Sequence, residues 1–250
     1  MLKEAIKYFT QLGISPDERH VNIEDANGNV RDLIIDNEGS FREVKAEITR
    51  AEDQLRLNTL TGLVGYVKAN LERQDATFFL QVHDEKTVSL KGVLDTDGGR
   101  ETLVVANAIT PQFDYGYYLD TEELLIAFQS KFTQTEDRDI LLKVIGNVKE
   151  ENVRQTGDTG IAQAVTIKTG VASADDVIVP NPVKLAPYRT FLEVDQPESN
   201  FIFRMKDGPR GAIFEADGGA WRNQAIVNVR DYLARELDIE IALGRITIIA

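Results

Sequence analysis

Apolar residues recur along the chain with two spacings, and the alternation between them predicts its elements. Leu2, Ala5, Ile6, Phe9 and Leu12 fall at helical spacing with Gly13 behind them as a C-cap, so a short amphipathic helix is expected first. Val21 and Ile23, then Asn27-Gly28, then Val30, Leu33, Ile34 and Ile35 read as a β-hairpin, because Asn-Gly supplies the two positive-φ positions of a tight turn. Residues 41–48 read both ways. Ser40 with Glu43 resembles a capping box, whereas Val44, Ala46 and Ile48 alternate as in a strand. Leu60, Leu63, Val64, Val67 and Leu71 restore the helical period behind the capping residues Asn58 and Thr59. Three meander strands then carry Phe78, Leu80 and Val82, Val88, Leu90 and Val93, and Leu103 to Val105, with turns at residues 84–86 and 97–99.

Asp120 with Glu123 at N3 is expected to cap a helix that buries Leu124, Leu125, Phe128 and Phe132, and Thr135 to cap a second that carries Ile140, Leu141, Val144 and Val148. Beyond Gly157 the texture returns to strand: residues 161–171 alternate, residues 177–179 stop at Pro180, residues 191–194 stop near Pro197, and Phe201, Phe203 and Met205 alternate with Ile202 and Arg204. Ala225, Val229, Leu233 and Leu237 imply a helix from about Trp221, and residues 246–249 a last apolar strand. The predicted class is α+β, mainly antiparallel sheets with a central helical pair and N- and C-terminal helices. One extended domain over 1–250 and two lobes, 1–150 and 151–250, are both consistent with this length.

Composition narrows the chemistry. Among 250 residues, 41 are acidic and 28 basic, a formal charge of -13, which opposes a surface that tracks a phosphate backbone throughout and leaves room only for a local basic groove. Cysteine is absent, which removes disulfides, thiolate metal sites and cysteine nucleophiles and fits a reducing cytoplasm. Met1-Leu2-Lys3-Glu4 opens an amphipathic pattern in place of a secretory leader, and no apolar run approaches 18 residues, so neither export nor membrane spanning is expected.

Each chemical candidate has a plain structural counterpart. The runs Asp25 to Asn29 and Asp95 to Gly98 begin like calcium loops but place Val30 and Arg100 where such a loop needs glycine, which leaves turn chemistry. His83 stands beside Asp84 and Glu85 as a candidate base or single metal ligand, without ligand-spaced companions; His20 has no spacing relation to it. No Walker loop, dinucleotide fingerprint or nucleophile elbow occurs, so no catalytic residue, metal site or cofactor is expected. Phe113, Tyr115, Tyr117 and Tyr118 around Gly116 form either a contact surface or packing on the helical pair. Phe201, Phe203, Arg204, Lys206, Arg210, Trp221 and Arg222 interleave cations with aromatics. They read as a binding surface for an anionic ligand, or as a buried strand flanked by ordinary surface cations.

The order of elements resembles the YfdQ-like family of uncharacterised tailed-phage and prophage proteins. The resemblance lies in Leu57-Asn58-Thr59-Leu60-Thr61-Gly62-Leu63-Val64-Gly65-Tyr66-Val67, the strands after Phe78, the central helices, and Pro187-Tyr188-Arg189-Thr190-Phe191 leading to Phe201-Ile202-Phe203-Arg204-Met205-Lys206. The C-terminal part departs, with a helix after Trp221 where more strand is expected of the family. The resemblance implies phage or prophage origin, the cytoplasm of an infected bacterium, and no known catalytic residues. The function expected is a non-enzymatic accessory role, binding a host factor, a signalling ligand or a phage protein. The alternatives are an accessory of nucleic-acid metabolism that contacts single-stranded DNA, and an enzyme whose site assembles only in the fold. Apolar segments at both ends make a homo-oligomer the expected state.

With no cysteine and no paired histidine ligands, a strong chelator is expected to leave the melting temperature unchanged; a drop of several degrees that one divalent metal reverses would overturn this.

Overall fold

Val21 faces Leu33 across an antiparallel ladder between β1 (His20–Glu24) and β2 (Val30–Ile35), and β3 (Phe41–Glu43) extends it on the other side of β2. This three-stranded sheet belongs to the first of two compact units, Met1–Arg50; the second is Ala51–Ala250. The expected hairpin is therefore formed, and residues 41–43 take the strand alternative. The computed structural model describes residues 3, 4, 8, 19–24, 30–35, 40–44, 50–70, 76–95, 98–147, 156–158, 163–165, 177–206 and 210–250. The Asn27-Gly28 turn and most of the expected N-terminal helix lie outside them, although Lys3, Glu4 and Tyr8 are helical.

In the second unit, β4 (Leu55–Leu57), β5 (Phe78–Val82), β6 (Thr87–Gly92), β7 (Thr102–Asn107) and β15 (Ile246–Ile249) form one sheet in the order β15-β5-β6-β7-β4. The central three strands are the antiparallel meander read from the sequence. Both edges are parallel additions: β15 pairs with β5 and β4 with β7. Helix α1 (Leu60–Ala69) starts where the Thr59 side chain accepts the Gly62 N–H at 3.1 Å. Its buried Leu60 and Leu63 join Leu80, Leu90 and Val104 of the sheet, and Val229 and Leu233 of α4 (Trp221–Glu236), in one hydrophobic core. A short α5 (Asp238–Ala242) links α4 to β15.

A second core lies under a four-stranded sheet ordered β12-β13-β14-β8, from β8 (Leu119–Asp120), β12 (Val183–Leu185), β13 (Ser199–Lys206) and β14 (Arg210–Glu215). The alternation in β13 is strict: Phe201, Phe203 and Met205 are buried, and Ile202 and Arg204 are only partly so. Those three pack on α2 (Thr121–Lys131) and α3 (Glu136–Asn147), the expected helical pair, through Leu124, Phe128, Leu141, Val144 and Ile145. Asp120 and Glu123 make the reciprocal capping box, with the Glu123 N–H donating to Asp120 Oδ1 at 2.8 Å. The Arg138 N–H donates to Thr135 Oγ1 at 3.2 Å, so Thr135 caps α3 as expected. A third small sheet is antiparallel, ordered β11-β10-β9, with β9 (Thr156–Asp158), β10 (Gln163–Val165) and β11 (Val177–Ile178).

The α+β class holds, with antiparallel and mixed sheets. One expected strand does not form. Residues 191–194 make a turn, in which the Val194 N–H reaches the Phe191 carbonyl at 3.4 Å and the Gln196 side chain takes up the backbone groups that a sheet neighbour would. Asp95 and Gly98–Gly99 are joined as the Asp-Gly turn chemistry implied: the Gly99 N–H donates to Asp95 Oδ1 at 2.6 Å, the Gly98 N–H donates to the Asp95 carbonyl at 3.0 Å, and Gly98 takes φ +74°. Among the described residues, no helix is long and apolar enough to cross a membrane.

Helix α2 meets β14 at a glycine. A Cβ on Gly211 would stand 2.6 Å from Leu124 Cδ2 and 3.3 Å from Phe203 Cε2, both in the closed second core. Gly211→Ala is therefore expected to cost about 1–3 kcal/mol through overpacking, measured as a lower urea midpoint; an unchanged midpoint would show that this core yields freely.

Candidate ligand-binding site

A loop without regular structure places the central side chain of the site. Between β12 and β13 the chain runs through Pro187, Tyr188, Arg189 and Thr190, tied down at both ends. The Thr133 N–H donates to the Ala186 carbonyl and the Tyr188 N–H to the Lys131 carbonyl, both at 2.9 Å, which fastens the loop to the end of α2. Gln196 knits the rest from within. Its Oε1 accepts the N–H groups of Arg189 at 2.8 Å and Thr190 at 3.2 Å, while its Nε2 donates to the carbonyls of Phe191 and Val194. Thr190 Oγ1 donates to the Glu85 carbonyl in the turn between β5 and β6, which joins the loop to the five-stranded sheet.

Held in this way, the Arg189 side chain is only 8% exposed. Its Nη2 donates to Ser199 Oγ at 2.6 Å and its Nη1 to Glu215 Oε1 at 3.2 Å. The guanidinium lies 3.8 Å from the Trp221 ring centroid and 5.6 Å from that of Phe201, so it is flanked by aromatic rings. Burial lowers its pKa from the ordinary value; Tyr115, Glu215 and Asp217 oppose that shift, while nearby Arg222 adds to it. Asp217 also sets the start of α4, where its carboxylate accepts the N–H groups of Gly219 at 3.0 Å and Trp221 at 3.4 Å.

A pocket of about 460 Å³ opens beside Arg189. The turn between β5 and β6 contributes Glu85 and Lys86, the segment before β8 contributes Gln112, Phe113 and Tyr115, and the start of α4 contributes Trp221 and Arg222. Four cations, Lys86, Lys131, Arg189 and Arg222, face two carboxylates, Glu85 and Glu215, so the wall carries two surplus positive charges on a protein whose total is -13. Arg222 Nε stands 3.7 Å from Glu85 Oε1, and its guanidinium lies 4.9 Å from the Trp221 centroid. Lys131 Nζ donates to the Gln112 carbonyl at 2.7 Å.

The fold brings together three of the eight residues singled out from the sequence and separates the other five. Tyr115, Trp221 and Arg222 line this pocket; Tyr117, Tyr118, Arg204, Lys206 and Arg210 do not. The separation follows from the β13–β14 hairpin. Phe201 pairs with Glu215 at the pocket end and Lys206 with Arg210 at the other, five residues and thus about 17 Å away at roughly 3.3 Å per residue. Tyr118 goes with the far group, with Lys206 Nζ 3.9 Å from its ring centroid, and it meets Phe214 in a T-shaped contact with centroids 6.3 Å apart. Tyr117 is 71% exposed, whereas Tyr115 stacks on Phe201 with centroids 5.5 Å apart. Sequence reading missed Arg189, Glu215, Glu85 and the two lysines as members of one site. The available signal was an arginine inside the apolar, proline-flanked run from Leu185 to Phe191, where a charge needs a buried partner.

The histidines are engaged elsewhere. His20 Nε2 stands 3.9 Å from Asp32 Oδ1. His83 Nε2 lies 2.7 Å from Ser89 Oγ, and Ser89 is itself buried, which keeps that hydroxyl from acting on a substrate. Among the described residues, no group of three or more His, Asp or Glu side chains is placed to hold a metal ion. In comparisons with protein-family models, curated proteins and solved structures, no match to this chain was found.

Burial pushes the Tyr115 phenol up from 10 to about 12, against the pull of Arg189, which favours the phenolate. The folded protein thus keeps this proton where the unfolded chain releases it. The stability this contributes is complete below pH 10 and is lost as pH rises through about 12. In alkaline ultraviolet titration one phenol should ionise near pH 12 and vanish from the titration of Tyr115→Phe; ordinary titration of every tyrosine near 10 would contradict the buried placement.

Proposed function

We propose that this protein is a non-enzymatic binding protein that takes a small anionic ligand in the pocket beside Arg189. The observation that carries the reading is the local inversion of charge: four cations against two carboxylates in one aromatic-walled cavity, within a strongly acidic chain. A solvated surface would scatter such cations. Here the loop and the start of α4 gather them around one opening. Its volume falls in the range of about 300–1,000 Å³ typical of small-molecule sites.

A single-stranded DNA track draws less support from the same geometry. Tyr115 is stacked against Phe201 and cannot offer that face to a base, and Arg204, Lys206 and Arg210 sit at the opposite end of the hairpin from Trp221 and Arg222. The accessory role in an infected bacterial cell rests on the resemblance to the YfdQ-like family. Within that role the pocket favours a signalling ligand over a host or phage protein.

Thermal melting with millimolar phenyl phosphate or ribose 5-phosphate tests the site. A ligand at one hundred times its Kd adds about 2.7 kcal/mol, and each kcal/mol raises the midpoint of a chain this size by about 2–4 °C. Wild type should gain several degrees, and the double variant Lys86→Gln/Arg222→Gln, altered at two exposed side chains, should lose most of that gain while melting normally without ligand. No gain with either phosphate would sink the reading.

A further inference from the structure

Charge, size and donor pattern narrow the occupant further, and we infer that the pocket accepts a nucleoside monophosphate. This rests on the anion-binding reading of the same pocket. The surplus of two positive charges in the wall matches a phosphomonoester, which carries about −1.5 to −2 at pH 7. A monocarboxylate would leave one cation uncompensated. Arg222 and Lys86 are exposed at the rim; Arg222, ion-paired with Glu85 at 3.7 Å, keeps guanidinium N–H groups to offer phosphate oxygens as a planar fork, and Lys86 offers a point charge.

Size favours an occupant larger than a bare oxyanion. The cavity of about 460 Å³ has room for about fifteen waters at ~30 Å³ each, so an inorganic phosphate would leave most of it wet. The remaining wall is aromatic and proline-rich, and in it the partly exposed rings of Phe113 and Tyr188, beside Pro111, form a surface against which a flat heterocycle loses little hydrogen bonding and gains packing.

The carboxylates decide the rest. Glu85 and Glu215 line the same cavity, and a purely anionic aromatic ligand would meet them with repulsion. A ligand that also carries hydroxyl and amino donors turns them into acceptors, and Gln112 and Thr110 add neutral partners beside them. Ribose hydroxyls and exocyclic amino groups supply those donors on a molecule whose phosphate satisfies the cations.

Isothermal titration of the full chain with AMP, GMP, CMP and UMP, beside ribose 5-phosphate and adenosine, provides the test. At least one nucleotide should bind ten-fold or more tightly than ribose 5-phosphate and adenosine, and its affinity should fall as pH drops below about 6, where the phosphate gains a proton. Arg222→Gln should weaken that nucleotide at least ten-fold, and Lys86→Gln, at an exposed position outside the packed core, should weaken it several-fold with no change in the unliganded melting temperature. If ribose 5-phosphate binds as tightly as every nucleotide, the nucleotide inference fails while the anion site stands. If none of the phosphorylated probes binds, both fail.

Discussion

The architecture around the pocket depends on keeping one guanidinium charged in an apolar slot. Arg189 needs an anion, hydroxyl acceptors and ring faces at once, and they come from three places: Ser199 at the start of β13, Glu215 at the end of β14, and Trp221 at the start of α4. A buried charge that loses its partner costs roughly 3–5 kcal/mol, so these contacts constrain one another more than any single hydrogen bond would. Glu215 is over a third exposed, which softens the penalty at that partner, and the loop restores rigidity through the four bonds of Gln196.

That constraint also explains where the cavity lies. The second unit has two cores, one around the meander and α4, the other between the β13–β14 hairpin and the α2–α3 pair. Phe191 and Val194 belong to the first core and Phe201 to the second, so the chain from Arg189 to Phe201 crosses the seam between them. The seam carries polar groups because loop backbone must be satisfied there without a sheet neighbour. Cations and carboxylates from both sides meet over it, at the pocket.

Local rules were legible in the sequence and nonlocal ones were not. Thr59, Asp120 and Thr135 cap their helices as read, because a cap needs only the next three residues; the alternation of Phe201, Phe203 and Met205 likewise survives into β13. The parallel joins of β15 to β5 and of β4 to β7 escaped, since nothing near Ile246 names Phe78 as its partner. Proximity along the chain misled once: Lys206 and Trp221 were grouped as neighbours, yet the hairpin carries Lys206 away and delivers Arg189, thirty-two residues before Trp221, in its place. Residues 191–194 looked like strand because apolar spacing cannot tell a buried turn from a short strand, and nothing in that spacing says that the nearby Gln196 side chain, in place of a sheet neighbour, takes up the backbone carbonyls.

Trp221 is the chain's single tryptophan, 5% exposed, with Arg189 and Arg222 both within 5 Å of its ring centroid. Excited at the red edge, where the seven tyrosines absorb little, its indole emission is therefore a built-in optical reporter of the pocket, with no second tryptophan to dilute it. The chain carries its own fluorophore at the place where occupancy would change the local field.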